Sequence, residues 1–444
     1  MNNINTNQDR KFYLKTMGCQ MNEHDSEVII GILVNLGYTQ TEELTEADLI
    51  LYNTCSVRDN PERKVYGHIG AFKALKEQNP NLIIGICGCM PQQAAERANI
   101  LDKLPHVDLV FGTHNIHRLP ELLERAQTGE RVVEVWEDSQ EIIEDLPVIR
   151  QNSLKAFVNV IYGCNNFCSY CIVPYTRGRE KSRHPQDIVD EITRLAEAGY
   201  KEVTLLGQNV NTYGVDLGIG TEFADLLAMI NEISGIERIR FTTSHPKDMK
   251  DSLIEAMASL PKVCEHLHLP VQAGSDRILK IMNRRYTSAY YLDLVAKIKE
   301  AIPNISLTTD LIVGFPGETE EDYEDTLALV EKVQFSSAFT FIYSPRTGTP
   351  AAKMKNQVPE EVKKDRIYRL IELQNDISLR YMQAQIGKTE EILVDEVMAK
   401  TKELSGRTRT NKQVLFEGSP DLVGKLVNVK ITEAKTWSLR GVLL

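Results

Sequence analysis

Between residues 11 and 126, short apolar runs alternate with longer stretches of helical periodicity. The runs at 12–17, 49–52 and 82–86 have the length and unbroken apolar character of buried strands, and each precedes a segment long enough for a helix. This alternation predicts a parallel α/β domain. A second alternation starts at 157–162 and continues through strand patterns at 202–206, 238–243, 266–271, 306–313 and 338–343. Helical patterns at 187–198, 223–233, 290–301 and 320–333 lie among them. Six βα units are too few for a closed eight-stranded barrel, so an open partial barrel is expected. From 359 to 385, Ile367, Leu370, Ile371, Ile377 and Tyr381 mark an amphipathic helix that ends at Gly387. Strand patterns at 391–397, 413–417, 426–432 and 436–443, several separated by glycine turns, predict a small antiparallel barrel. The acidic, aperiodic stretch 137–153 reads as a linker. The expected domains are 11–128, 150–382 and 383–444, all within an α/β protein that carries a β-barrel at its end.

Composition narrows the class. The chain has 444 residues, 42% hydrophobic and 25% charged, enough for two or three globular domains. A net charge of -11 does not suit general nucleic-acid binding. Residues 383–444, however, hold ten Lys/Arg against eight Asp/Glu, so any such affinity is expected to be local. The first eleven residues are polar and no apolar run could span a bilayer. A cytoplasmic protein without membrane contact, acting as a monomer, is expected. Eight cysteines in that setting point to metal or redox chemistry and away from a disulfide framework.

The chemistry centres on Cys164-Asn165-Asn166-Phe167-Cys168-Ser169-Tyr170-Cys171, directly after the strand pattern at 157–162. Three thiols on one loop can converge on a metal centre. A fully protein-ligated iron–sulfur cluster takes four cysteines, so three leave one iron open, the kind of position where catalytic metals bind substrate. The other readings are three unrelated thiols, or structural zinc with His184 as fourth ligand. Cys19, Cys55 and Cys89 each follow one of the first domain's strands. In an open α/β sheet the carboxyl ends of strands form the ligand crevice, and helix N-termini there favour thiolate. Singly, each cysteine reads as a buried apolar residue; together they suggest a second three-thiolate site. Cys87 belongs to the strand and Cys89 to the loop beyond it, which favours Cys89. Cys264 reads as packing.

The octet resembles the signature of the radical S-adenosylmethionine (SAM) enzymes, CxxxCxφC with an aromatic φ. That resemblance implies a [4Fe-4S] cluster on Cys164, Cys168 and Cys171 whose open iron binds SAM, with Tyr170 near the adenine. Simple loop packing is the alternative for Tyr170. Gly18-Cys19-Gln20-Met21-Asn22, Asn53-Thr54-Cys55-Ser56-Val57-Arg58 and Gly88-Cys89-Met90 resemble the cysteine motifs of the methylthiotransferases. These carry a second [4Fe-4S] cluster in an N-terminal flavodoxin-like domain, here on Cys19, Cys55 and Cys89. The Gln20-Met21-Asn22 form, followed by Asp25-Ser26-Glu27, is similar to the tRNA-modifying MiaB branch. Residues 383–444 resemble a TRAM domain, an OB-like RNA-binding barrel.

Polar residues recur at the strand ends of the central domain. Each alone reads as turn chemistry, and Asp310 as a core carboxylate. The resemblance makes Gln208, Asn209, Ser244, Gln272, Ser275 and Asp310 candidate SAM contacts. Arg284, Arg285 and Arg346 are candidates for substrate phosphates, with a solvated or salt-bridged surface as the alternative. Arg407, Arg409 and Lys412 form a cationic segment suited to RNA phosphates. The expected function is methylthiolation of isopentenylated adenosine beside the tRNA anticodon, with an external electron donor and a sulfur source. The alternatives are methylthiolation of a ribosomal-protein side chain and a non-catalytic iron–sulfur RNA-binding sensor.

Overall fold

The computed structural model describes residues 10–56, 59–137 and 142–444. The polar start of the chain (1–9), Val57 and Arg58 of the second cysteine motif, and residues 138–141 of the acidic linker lie outside the described residues.

The first domain is one parallel sheet. Its strands are β1 (Lys11–Thr16), β2 (Thr39–Gln40), β3 (Leu49–Thr54), β4 (Ile83–Gly88), β5 (Leu109–Phe111) and β6 (Val132–Glu134), in spatial order β2-β1-β3-β4-β5-β6. Every residue of β3 and β4 is buried, which is why both read as continuous apolar runs. Leu49 and Leu51 pack on one face with Ile29 and Leu122, while Ile50 and Tyr52 pack on the other with Val65 and Ile100. The first five strands follow the flavodoxin order. The sheet changes direction between β1 and β3, and ligands bind outside the carboxyl ends of strands at such a switch point. Cys19 and Cys55 lie just beyond those two ends.

The central domain adds β7 (Lys155–Asn159), β8 (Ile161–Tyr162), β9 (Lys181–Ser182), β10 (Glu202–Leu206), β11 (Arg238–Phe241), β12 (His266–His268), β13 (Ser306–Val313) and β14 (Ser337–Ile342). β7, β10 and β11 form one parallel sheet and β12, β13 and β14 another. A parallel bridge, Ile239 to Val263, joins them into an open, partial barrel. Val158, Val203, Leu205 and Leu267 meet Ile188, Ile192, Leu226 and Ile254 from the surrounding helices. The first strand is shorter than the apolar run implied. It stops at Asn159, and Ile161–Tyr162 turns away to pair antiparallel with Lys181–Ser182. That ladder clips the two ends of the cysteine loop together.

The C-terminal barrel closes from β15 (Thr389–Val397), β16 (Leu404–Thr408), β17 (Gln413–Phe416), β18 (Leu426–Ala434) and β19 (Leu439–Leu443) in the order β15-β16-β17-β19-β18. β17 and β19 are parallel, so the barrel is not wholly antiparallel as expected. The cationic segment begins in strand β16, which holds Arg407, and continues into the turn before β17, which holds Arg409 and Lys412. Gly406 hides the strand from the alternation, because a Cβ there would lie 2.4 Å from Ile392 Cγ2 and from the Leu393 carbonyl oxygen.

The 24-residue helix Glu360–Gln383 connects this barrel to the central domain. The barrel docks at the amino ends of the central strands, opposite the cysteine loop. Arg238 and Arg240, two apart and so on one face of β11, donate to the backbone carbonyls of Arg407, Thr408 and Arg409. Lys155 pairs with Asp395 at 2.6 Å. Arg409 clasps Glu265 with contacts of 2.8 to 3.1 Å, and Lys412 Nζ donates to Ser336 Oγ at 2.8 Å. Arg409 and Lys412 therefore serve the domain interface, which corrects their reading as an RNA-facing loop. Arg407 Nη1 donates to the Asn411 carbonyl within the same turn. Arg409→Glu should turn this clasp into repulsion and cost on the order of 2 kcal/mol. The expected readout is a lower Tm and faster hydrogen exchange in β16, with RNA affinity changing only through that loosening.

The linker is more than a spacer. Leu146 and Val148 pack on the first core, and a Cβ at Gly31 would lie 2.3 Å from the Pro147 carbonyl. Arg150 pairs with Glu27 at 3.2 Å and with Glu191 at 2.6 Å, tying two domains together. Among the described residues, no helix is long and apolar enough to cross a membrane.

Candidate active site

At the N-terminal switch point, Cys19 caps the helix Gln20–Asn35 and Cys89 opens the helix Cys89–Gln92. Asn22, fully buried, organises the cysteines around it. Its Nδ2 donates to the Thr54 carbonyl at 2.8 Å, and its Oδ1 lies 3.6 Å from Cys19 Sγ and 3.9 Å from Cys89 Sγ. A hydrogen bond from Cys55, and then the nearby Arg177 charge, outweigh burial and bring the Cys19 thiol down to about 6. Burial pushes Cys89 up. Three sulfurs from three βα turns thus gather at one rim of the sheet. Cys87 stays in the core of β4, its thiol raised by burial.

The second triplet occupies the loop between β8 and β9. Cys164 N donates to the Gly178 carbonyl at 3.1 Å and Cys171 N to the Cys168 carbonyl at 2.9 Å. Asn283 Nδ2 clasps the loop through the carbonyls of Asn166 and Phe167. Ser169 Oγ donates to the Ile281 carbonyl at 2.8 Å. Burial first, and the neighbouring thiols among the lesser causes, raise Cys164 to about 11 and Cys171 further. Arg284 Nη1 lies 3.4 Å from Cys168 Sγ and 3.5 Å from Tyr170 Oη. His184, the fourth ligand a zinc reading needed, instead accepts from Gln186 N as a helix cap. Among the described residues, no three His, Cys, Asp or Glu side chains stand at single-ion spacing. A four-iron cluster sits between thiolates that are farther apart, and soft thiolates suit it. The donor sets fit such clusters.

The domains that carry the two triplets touch beside both cysteine motifs. The short helix Val173–Thr176 follows the central loop, and Thr113 Oγ1 of the first domain donates to the Thr176 carbonyl at 3.0 Å. Arg177 then crosses into the N-terminal pocket, with Nε 3.3 Å from Cys89 Sγ and Nη2 2.6 Å from Asp25 Oδ2. Gln208 Nε2 contacts Met21 Sδ, joining a strand end of the central domain to the first cysteine motif.

The remaining sequence candidates separate clearly. Ser244 is buried, and its Oγ has no hydrogen-bond partner among the described residues. His245 beside it also leaves Nε2 unpartnered, and burial together with the Arg284 charge holds its imidazole down at about 2. Buried polar atoms left unpartnered fit a polar ligand. Asn209 Nδ2 donates to Asp248 Oδ2 at 2.8 Å, and its Oδ1 accepts from His245 N. Gln272 is buried with φ 75° and bridges to Leu311. Asp310 lies 3.5 Å from His268 Nε2 on the inner face of the strands. Ser275 is committed elsewhere. It caps the helix Asp276–Ile281 and donates to Asp322 Oδ1 at 2.6 Å, a structural role in place of ligand contact. Tyr170 packs among Ile278, Leu279, Met282 and Phe315. Arg284 is buried at Cys168 and does not face outside phosphate, whereas Arg285 is exposed. Arg346 is buried, and its carbonyl accepts from Thr349 N and Oγ1. Ser244→Ala should raise the KM for SAM about tenfold, the weight of one hydrogen bond of about 1.4 kcal/mol, with little change in Tm.

Sequence reasoning missed Asn22 as a hub, and it missed Arg177 and His245. Asn22 stood in a quoted motif, but only the fold shows it reaching both β3 and Cys89. His24, buried at the boundary, accepts from Asn159 Nδ2 at 3.1 Å, and burial pushes its imidazole down from 6.5 to about 4. Its contribution to stability is complete above pH ~6.5 and is lost as pH falls through 4, roughly 3 kcal/mol in all. In the cluster-free protein, Tm should fall over that window, and His24→Gln should flatten the fall.

Comparison with known proteins fits this geometry. Residues 158–330 match the model "Radical SAM superfamily", residues 11–112 match "Uncharacterized protein family UPF0004", and residues 383–444 match "TRAM domain". A tRNA-2-methylthio-N(6)-dimethylallyladenosine synthase of Acetivibrio thermocellus is 58% identical over 99% of this chain and 92% of its own length. One of Carboxydothermus hydrogenoformans is 58% identical over 98% of this chain and 100% of its own. Among solved structures, the radical SAM methyltransferase TsrM of Kitasatospora setae superposes with a TM-score of 0.57 at 14% identity, covering 78% of this chain and 74% of its own. That likeness speaks for the fold alone. The fold, the paired cysteine sites and the near-complete match over the whole length lead to one conclusion: this chain belongs to the family of the tRNA-2-methylthio-N(6)-dimethylallyladenosine synthases, within the radical SAM enzymes.

Proposed function

We propose that this chain adds a methylthio group to the isopentenylated adenosine beside the anticodon of tRNA, with two [4Fe-4S] clusters and SAM. The observation that carries the reading is the pair of three-thiol sites on two domains that Arg177 and the Met21–Gln208 contact join. One site alone would suit SAM cleavage; a second beside it gives sulfur insertion its own place. The relatives' names supply the substrate and the product.

When bound, the cofactors supply radical hydrogen abstraction from the adenine ring, sulfur, and a methyl group. The chain's own residues bind and orient. Cys164, Cys168 and Cys171 would hold the SAM-binding cluster, and Cys19, Cys55 and Cys89 the second. Ser244 Oγ, His245 Nε2 and Gln208 Oε1 are buried polar atoms left unpartnered just beyond the ends of β10 and β11, so they are assigned to SAM or the base. His245 stays neutral at working pH and can donate or accept without adding charge. The hairpin clip at β8 and β9 and the docked first domain would shield the bound clusters from water. A base in an anticodon loop can be splayed into such a site. The C-terminal barrel sits at the far end of the strands, so RNA contact there falls to its exposed surface, which carries Lys430, Lys435 and Trp437, 62% exposed. An external electron donor and a sulfur source, a monomeric state and a cytoplasmic location complete the proposal.

The test is SAM cleavage under reductant with and without tRNA. Isopentenylated tRNA should raise cleavage more than the same tRNA lacking the isopentenyl group. Equal rates with both, or no response to either, would count against this substrate.

A further inference from the structure

We infer that Arg177 is a positioning residue that raises the reduction potential of the cluster held by Cys19, Cys55 and Cys89, and does so only while the first two domains are docked. The inference rests on the second-cluster reading above.

Arg177 belongs to the central domain, but its side-chain partners all belong to the N-terminal one. Nε donates to Cys89 Sγ at 3.3 Å, and Nη2 donates to Asn22 Oδ1 at 3.0 Å and Asp25 Oδ2 at 2.6 Å. The residue is 6% exposed, and the Asp25 side chain 8%. Two anchors fix the backbone that delivers it, Arg177 N to the Val173 carbonyl at 2.8 Å and Thr113 Oγ1 to the Thr176 carbonyl at 3.0 Å. The planar guanidinium fork cannot turn Nε without breaking the Asp25 and Asn22 contacts, so the carboxylate aims the donor at sulfur. Hydrogen bonds to sulfur, net charge and burial set the potentials of such clusters. An N–H directed at a ligating sulfur favours the reduced form, which carries the extra electron. A nearby carboxylate disfavours it. Asp25 and Arg177 therefore pull the potential in opposite directions while both support docking.

That opposition separates the inference from a plain interdomain ion pair. The experiment uses the full chain with Cys164, Cys168 and Cys171 changed to Ala, so that only the N-terminal cluster reports. After anaerobic reconstitution, iron per chain is measured, then the one-electron midpoint potential by EPR-monitored titration with dithionite. Arg177→Gln should shift the potential to a more negative value, Asp25→Asn to a more positive one, and Arg177→Lys to a value between Gln and the parent. Shifts of the same sign in the Gln and Asn variants, or no shift, would overturn the inference and leave the second cluster standing. If Arg177→Gln fails to hold iron, Arg177→Lys decides: a lower potential than the parent supports the inference, and an equal one overturns it. A parent without iron would overturn the second-cluster reading, and this inference with it.

Discussion

Cys168→Ala is expected to abolish reductive cleavage of SAM, by more than about 1000-fold, a barrier increase of about 4 kcal/mol. Cys55→Ala is expected to leave much of that cleavage while stopping sulfur insertion. The split follows from the geometry. Cys168 lies on the loop between β8 and β9, 3.4 Å from Nη1 of Arg284, whose charge also bears on His245. Cys55 lies at the end of β3, in a different domain, and bonds to Cys19. The first substitution removes one of three thiolates from the site assigned to SAM. The second empties the partner site without touching the first. Deoxyadenosine and methylthiolated nucleoside, quantified in one reaction, report the two steps separately. Equal loss of both products in Cys55→Ala would count against distinct roles for the sites.

Gly163→Ala should have the largest effect of any change outside the cysteines. Gly163 has φ 72°, and a Cβ there would lie 2.1 Å from the Arg179 carbonyl oxygen and 2.6 Å from that of Gly178. The left-handed conformation alone costs a side chain about 1–2 kcal/mol. The clash is with backbone, and relieving it means opening the two-residue ladder between β8 and β9. With the ends of the loop apart, Cys164 no longer meets Cys168 and Cys171. Iron per chain should fall to roughly half, because the N-terminal site is untouched. SAM cleavage should be lost with it, while Tm changes modestly. Full iron loading in Gly163→Ala would show that the loop does not need this clip.

The periodic parts of the fold were legible and the short parts were not. β3 and β4 read clearly because both faces are buried. β2, with two residues, and β5 and β6, with three each, are too short to show a period. The run at 157–162 looked like one strand because apolar character cannot mark where Val160 leaves one ladder and Ile161 enters another. The six cysteines singled out as ligands fall into two triplets for different reasons: Cys19, Cys55 and Cys89 follow parallel strands and share a rim, while Cys164, Cys168 and Cys171 lie on one loop whose ends an antiparallel ladder clips. Cations were harder to place. Arg284, Arg409 and Lys412 read as phosphate ligands because charge suggests solvent, yet each is engaged inside the protein, at Cys168, Glu265 and Ser336. Arg177 showed no signal at all. Its partners lie more than 80 residues away, in another domain, and only the docked structure joins them.

The central claim is that this chain modifies isopentenylated tRNA by radical methylthiolation. Its most direct test is mass spectrometry of tRNA nucleosides after anaerobic incubation of the reconstituted protein with isopentenylated tRNA, SAM, a sulfide source and a reductant. A methylthiolated isopentenyladenosine that disappears when SAM or reductant is omitted is the predicted result. Unmodified tRNA, from protein verified to hold both clusters and to cleave SAM, would contradict it.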